Sequence, residues 1–291
     1  MREVPSSWAI ISRSYRDSSQ ARSEALKEGD MEQERDELAL QFDDRDLASQ
    51  LLDSLDYDAQ LRAIHALLGR HRRAAEELSE SINELDDFAR RTSGLVNQRA
   101  VDDWVDHLHD SVFQDAAHSM AAVGMLAPFV EALFKQAFPG IKLLLDQRCL
   151  TPSPHSRWSM KTDVRWDCRF TSPRRRDLVL GIVELADATG LSAELPARLP
   201  ATLSALFGYR NKMFHFGFEW PESERQSFAR RILDEGWPAD WFGRATTGGE
   251  PWVFYLSPAF VDHCLETINA VIVGLGAFVR RTSRARALNN K

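Results

Sequence analysis

Arg210, Asn211 and His215 place a guanidinium, an amide and an imidazole on one short segment of the chain. Cutting RNA internally needs a base for the 2′-hydroxyl proton, positive charge against the phosphate oxygens and an acid for the leaving 5′-oxygen. A histidine exchanges protons near neutral pH. An arginine can meet a phosphate through two parallel hydrogen bonds, and an asparagine can hold a phosphate oxygen or the imidazole. Such a set leaves a 2′,3′-cyclic phosphate and a 5′-hydroxyl, and it spares DNA, which lacks the attacking hydroxyl.

The element that must carry the trio follows from the run Leu199 to Tyr209, where Leu203, Leu206 and Phe207 recur at helical spacing. Gly217 and Pro221 predict its end. At about 100° per residue, Arg210, Phe214, Asn211 and His215 follow one another around roughly 140° of that helix, so the three polar side chains can converge. Arg210 falls inside the apolar stripe of Leu203, Leu206, Phe207, Met213 and Phe214, an awkward place for a permanent charge with five donors. An RNA phosphate, the carboxylate of Glu131 or the backbone carbonyls of a partner subunit could meet it. The same spacing recurs from Arg148 to His155, but Thr151-Pro152-Ser153-Pro154 between them cannot continue a helix.

An arginine, a polar residue and a histidine a few positions on, at a helix end, resemble the motif of the HEPN superfamily, here Arg210, Asn211 and His215. The amphipathic stretch Ala127 to Phe134 with its single acid, Glu131, resembles that family's first core helix, and Ser257 to Arg281 is similar to its closing helix. The resemblance covers roughly residues 100 to 285. It implies a metal-independent endoribonuclease without cofactor, acting as a homodimer whose two motifs face each other across a shared cleft. It also implies a toxin or antiviral-defence effector, restrained by an antitoxin or regulatory protein or by its own N-terminal helices. Many HEPN-like domains are instead non-catalytic modules for dimerisation, ligand sensing or protein interaction, and an Arg/His pair at a helix end can simply cap carbonyls.

Charge is uneven along the chain. Residues 1 to 100 carry 14 Lys+Arg against 21 Asp+Glu, and residues 101 to 291 carry 22 against 22, which together give the net −7. The half with the motif is therefore not globally basic, and a grip on RNA must come from local clusters. One comprises Arg157, Lys161, Arg165, Arg169 and Arg174-Arg175-Arg176, interleaved with Trp158, Trp166 and Phe170. Another is the tail Arg280, Arg281, Arg284 and Arg286. Cations beside aromatics can hold phosphates and stack bases, and Arg174, Arg175, Arg176 and Lys212 are the candidate RNA contacts. A solvated loop with its aromatics tucked into the core explains the same pattern. The acidic first hundred residues could shield such a cleft.

Three scattered cysteines exclude a disulfide framework or a zinc motif and fit a reducing cytoplasm. No stretch reads as a signal peptide or a membrane span. Asp102, Asp103, Asp106, His107, His109 and Asp110 invite a metal reading, but alternating acids and histidines more simply form a solvated face. No phosphate loop, nucleophile elbow or internal repeat is present.

Helical periodicity predominates. Leu47, Leu51, Leu52 and Leu55 predict one amphipathic helix. From Asp56, a fitting N-cap, a 3,4 spacing runs through Tyr57, Leu61, Ile64, Leu68, His71, Ala75, Leu78, Ile82, Leu85 and Ala89. That seam needs a partner helix in this chain, a second subunit or another protein; its His71 reads as a partly exposed histidine. Gly94 should end the helix, residues 99 to 127 form the next, and Pro128 starts or kinks a further one that Pro139-Gly140 stops. Helices are also predicted over 177–188 and 221–236, a loop over 237–251 and a short strand over 252–256. The expected architecture is all-α: a flexible N-terminus (1–30), a coiled-coil-like helical extension (31–98), a HEPN-type helical bundle (99–285) with a basic and aromatic insertion at about 150–176, and a tail (286–291).

Overall fold

The computed structural model describes residues 42–162, 164–172 and 175–289, with side chains as far as residue 284. The expected flexible N-terminus, 1–30, lies outside the described residues. The described chain is mostly helical, with one two-stranded sheet. A short helix α1 (Asp44–Ala48) precedes two long ones, α2 (Tyr57–Arg91) and α3 (Gly94–Gln147). Then come α4 (Leu178–Thr189), α5 (Leu199–Phe216), α6 (Glu222–Asp234), strands β1 (Phe242–Thr247) and β2 (Glu250–Leu256), and the closing helix α7 (Pro258–Asn289).

Local signals set most of these boundaries. The Asp56 carboxylate accepts from the Ala59 amide at the start of α2, and Asp177 does the same for Leu180 at the start of α4. Gly190, with φ +75°, closes α4 in the left-handed conformation that favours glycine. Gly248 and Gly249, both at positive φ, make the two-residue turn that joins β1 to β2. The short strand expected over 252–256 falls within β2, whereas β1 lies in the stretch expected as a loop; the Gly-Gly pair before an aromatic and β-branched run was its signal.

The N-terminal seam is filled from within the chain, because α3 returns along α2 after a link of only Thr92 and Ser93. Gly94 therefore opens α3 rather than following the end of α2. The expected helix over 47–55 stops at Ala48. Leu51 and Leu52 are buried all the same, carried by successive turns whose amides bond three residues back to Ala48 and Ser49.

The clearest departure from the sequence reading is α3 itself. Pro128 and Pro139-Gly140 neither start nor stop a helix; one continuous helix of 54 residues runs through both prolines. Each interior proline costs about 3 kcal/mol, through a lost hydrogen bond and a clash one turn back. The surrounding residues offset that cost: Leu126, Phe129, Val130, Leu133, Phe134, Phe138 and Ile141 are all buried, at about 1.5–3 kcal/mol each.

One hydrophobic core takes in residues from Leu47 to Val279, so the N-terminal helices and the C-terminal bundle share it. By length and composition, α3 and the part of α7 from Pro258 to Arg284 could each cross a membrane, but half or more of each apolar window is buried inside this fold. Close approaches are made at glycines. At Gly140 a Cβ would stand 2.5 Å from the Leu51 carbonyl oxygen, whereas at Gly69 in α2 the nearest atom would be the tip of Arg73 at 3.9 Å.

These two helical glycines predict opposite outcomes. Gly140→Ala should destabilise the protein by about 1–3 kcal/mol through overpacking. Gly69→Ala should stabilise it by about 0.5–1 kcal/mol through helix propensity. Urea unfolding of both variants checks the difference in sign.

Candidate functional site

The helix α5 begins with Pro200 in its first turn and ends at Gly217, whose amide bonds the Met213 carbonyl at 2.9 Å. Its first three turns are anchored from several sides. Leu203, Leu206 and Phe207 are buried, the Thr202 hydroxyl meets His263 of α7 at 2.9 Å, and the Tyr209 hydroxyl donates to the Phe254 carbonyl of β2 at 2.9 Å. The Tyr209 ring lies in an aromatic cluster with Trp220, Phe228 and Phe242, and burial pushes its phenol pKa up. The β-hairpin thus fixes where α5 points, and the last turn projects beyond the core.

Arg210, Asn211 and His215 stand on that projecting end. Arg210 is half-buried, and Asn211 and His215 are exposed. Among the described residues none of the three side chains has a hydrogen bond or an ion pair. Helical spacing puts Asn211 and His215 one above the other. The Arg210 guanidinium lies 5.8 Å from the centroid of the Phe214 ring, and the His215 ring is 6.3 Å from that of Phe216. Phe214, predicted as part of the buried stripe, is 57 % exposed, because the stripe leaves the core after Met213.

Two supporting residues sit elsewhere than expected. Glu131 forms an ion pair with Lys135 at 2.7 Å, one turn along α3, and no carboxylate meets Arg210 among the described residues. Lys212, a candidate RNA contact, is tied to Glu224 of α6 and lies 5.8 Å from the Phe216 ring, so its charge is already partnered.

The basic and aromatic insertion divides into structural and free charges. Arg157 is completely buried and organises the loop. It donates to the carbonyls of Arg165 at 2.8 Å and Asp167 at 2.6 Å, to that of Phe170, and to the carboxylate of Glu184 at 3.2 Å. Glu184 also accepts from the Ser172 amide, which ties the loop to α4. Arg169 hydrogen-bonds Asp167 and holds its carboxyl below the usual carboxylate range. Trp158 and Trp166 pack on each other, with ring centroids 5.0 Å apart. Lys161, Arg175 and Arg176 are exposed, the last lying 5.7 Å from the Phe170 ring, while Arg174 is outside the described residues.

Several other charges prove architectural. In the tail, Arg280 pairs with Asp44 at 2.7 Å and Arg281 with Glu194 at 2.9 Å. In the decoy motif, Arg148 bonds the hydroxyl of Thr282 at 2.7 Å, and His155 accepts from the Arg157 amide. The run Asp102 to Asp110 is a largely exposed face, and among the described residues no group of three or more ligating side chains could hold a metal ion.

A second polar constellation was not singled out from the sequence. Asp115 and His118 on α3, with His71 on α2 and Tyr255 on β2, line a cavity of about 560 Å³ that none of Arg210, Asn211 and His215 touches. Its signal was present: Asp115 and His118 share a face at i and i+3, opposite a histidine in the seam of α2.

The role of Arg157 has a direct test. Arg157→Met should lower stability by about 3 kcal/mol or more, since it removes the buried charge that pairs with Glu184 and a donor to each of three carbonyls. Arg157→Lys should not restore it, because an ammonium cannot span the same fork. Urea unfolding, with hydrogen exchange of the 151–176 loop, measures both.

Comparison of the chain with family models, curated proteins and solved structures gives no match.

Proposed function

We propose that the protein is a metal-independent, HEPN-type endoribonuclease whose site is Arg210, Asn211 and His215. The observation that carries this reading is that three side chains suited to phosphate binding and proton transfer stand at the projecting end of a firmly anchored helix, without a hydrogen bond or an ion pair among the described residues. In the reaction, the 2′-oxygen attacks phosphorus while an imidazole takes its proton. Arg210 neutralises the charge gathering on the phosphate oxygens, and Asn211 holds one of them. The bond from phosphorus to the 5′-oxygen breaks, and that oxygen receives a proton. Two proton transfers are readily shared between two imidazoles, and among the described residues one chain offers a single imidazole at this end. A homodimer that brings two trios together supplies both. The exposed rings of Phe214 and Phe216 beside the trio, 57 % and 40 % accessible, are apolar surface such an association would cover.

Toxin or defence activity under the control of an antitoxin or regulatory protein belongs to the same proposal. It is supported by Val101, Val105 and Leu108, which form an exposed apolar stripe at i, i+4 and i+7 on the first half of α3, beside the exposed Leu95 and Val96. A non-catalytic dimerisation or ligand-sensing module is the second reading. It is favoured by the openness of the trio to solvent and by the separate cavity that the trio does not line.

The two readings part in one experiment. The chain is incubated with total cellular RNA, and separately with DNA, in the presence of a chelator, and the fragment ends are determined. The expected result is RNA fragments with 2′,3′-cyclic phosphate ends and intact DNA. His215→Ala should lower the rate by about 10²-fold or more, and Arg210→Ala by about 10²–10³-fold. A folded His215→Ala protein that cuts as fast as the wild type refutes the catalytic assignment.

RNA binding has its own readout in salt. Replacing Arg175 and Arg176 by Gln should weaken binding and reduce the slope of log K against log salt by about 1.4, at roughly 0.7 per phosphate contact on a single strand. An unchanged slope removes these residues from the interface.

A further inference from the structure

The cavity between α2, α3, the end of β2 and the start of α7 has a volume of about 560 Å³, within the range of about 300–1,000 Å³ typical of small-molecule sites. Ala122, Leu256 and Val261 give it an apolar wall. Against that wall stand groups the fold leaves unsatisfied. The rings of His71 and His118 stack with centroids 4.6 Å apart and planes 10° from parallel, and His71 Nδ1 is buried with no hydrogen-bond partner. The Asp115 carboxylate has neither a hydrogen bond nor an ion pair among the described residues, although burial raises its pKa. Asp115 is half-buried, and a carboxylate left without a protein partner in the wall of a largely apolar cavity is a candidate to bind a ligand.

The sign of that partner follows from the remaining charges. Arg72, the arginine at the cavity, is already neutralised by Asp262 at 2.7 Å. Among the described residues, the acidic and basic side chains of the lining that lack an ion pair include two carboxylates, Asp115 and the exposed Glu76, and no arginine or lysine. Burial, reinforced by His71, lowers the pKa of His118 and so disfavours a positive charge on its imidazole. Burial and the nearby Asp115 keep the Tyr255 phenol protonated. An anion would meet repulsion without a free arginine to hold it. A metal ion is disfavoured, since among the described residues no three ligating side chains converge.

We propose that this cavity is a binding site for an organic ammonium, a protonated primary or secondary amine whose charge pairs with Asp115 and whose compact apolar body lies on Ala122, Leu256 and Val261. The site is separate from Arg210, Asn211 and His215, and stands or falls independently of the ribonuclease reading.

The test is calorimetric titration of the full chain with cyclohexylmethylammonium and with cyclohexylacetate, a probe of similar shape and opposite charge. Saturable one-to-one binding of the ammonium, with the anion at least tenfold weaker, is the expected result. Asp115→Asn should weaken ammonium binding at least tenfold while the protein stays folded. Val261→Phe, which fills the half-buried wall without touching the carboxylate, should abolish it. Equal or tighter binding of the anion, indifference of the ammonium to Asp115→Asn, or no binding of either probe overturns the proposal.

Discussion

The burial of α3 is the constraint on which the rest of the structure depends. From Ala116 to Leu145 this helix offers buried residues to α2, α5, β2 and the turn after α1, and these in turn place elements such as β1 and α6, which pack on β2. Two prolines in the same stretch would break an isolated helix. Here the neighbours hold it together, and the glycine after the second proline lets the Leu51 backbone come close enough to help. Stability in this fold is therefore tertiary before it is local.

A second layer of organisation is polar. Arg157 replaces secondary structure in the 151–176 loop, because its donors bond carbonyls that no helix or strand would otherwise pair. Ser119 plays a smaller version of this part, accepting from the Leu256 amide and so joining β2 to α3. Ion pairs at Arg280 with Asp44 and Arg72 with Asp262 fasten the N-terminal helices to α7. Pairs that stay partly open to solvent contribute little individually, and they act here chiefly to set orientation between helices that the core already brings together.

Both proposed sites lie where the packing leaves polar groups over. The end of α5 leaves the core with Arg210, Asn211 and His215 free of hydrogen bonds and ion pairs among the described residues, while the cavity beside α3 retains the Asp115 carboxylate and the His71 Nδ1 without such partners. Both places are anchored through the β-hairpin: Tyr209 bonds the Phe254 carbonyl, and Tyr255, one residue on, faces the cavity. The hairpin thus links the geometry of two separate polar sites through one short strand.

The sequence by itself determined what depends on neighbours along the chain. Asp56 and Asp177 announced helix starts, the 3,4 spacing from Tyr57 announced a seam, and the run from Leu199 announced the helix that carries the trio, because caps and periodicity act over one or two turns. Tertiary structure decided what depends on residues far apart in sequence. It made Pro128 and Pro139 internal to a single helix, since burial by distant residues outweighs a local cost. It gave the charges of Glu131 and Lys212 to Lys135 and Glu224, and it turned Arg157 from a candidate phosphate contact into a buried support. It also brought His71, Asp115, His118 and Tyr255 to one cavity. A side chain's type fixes which bonds it can make, but only the packed chain determines which partner is within reach.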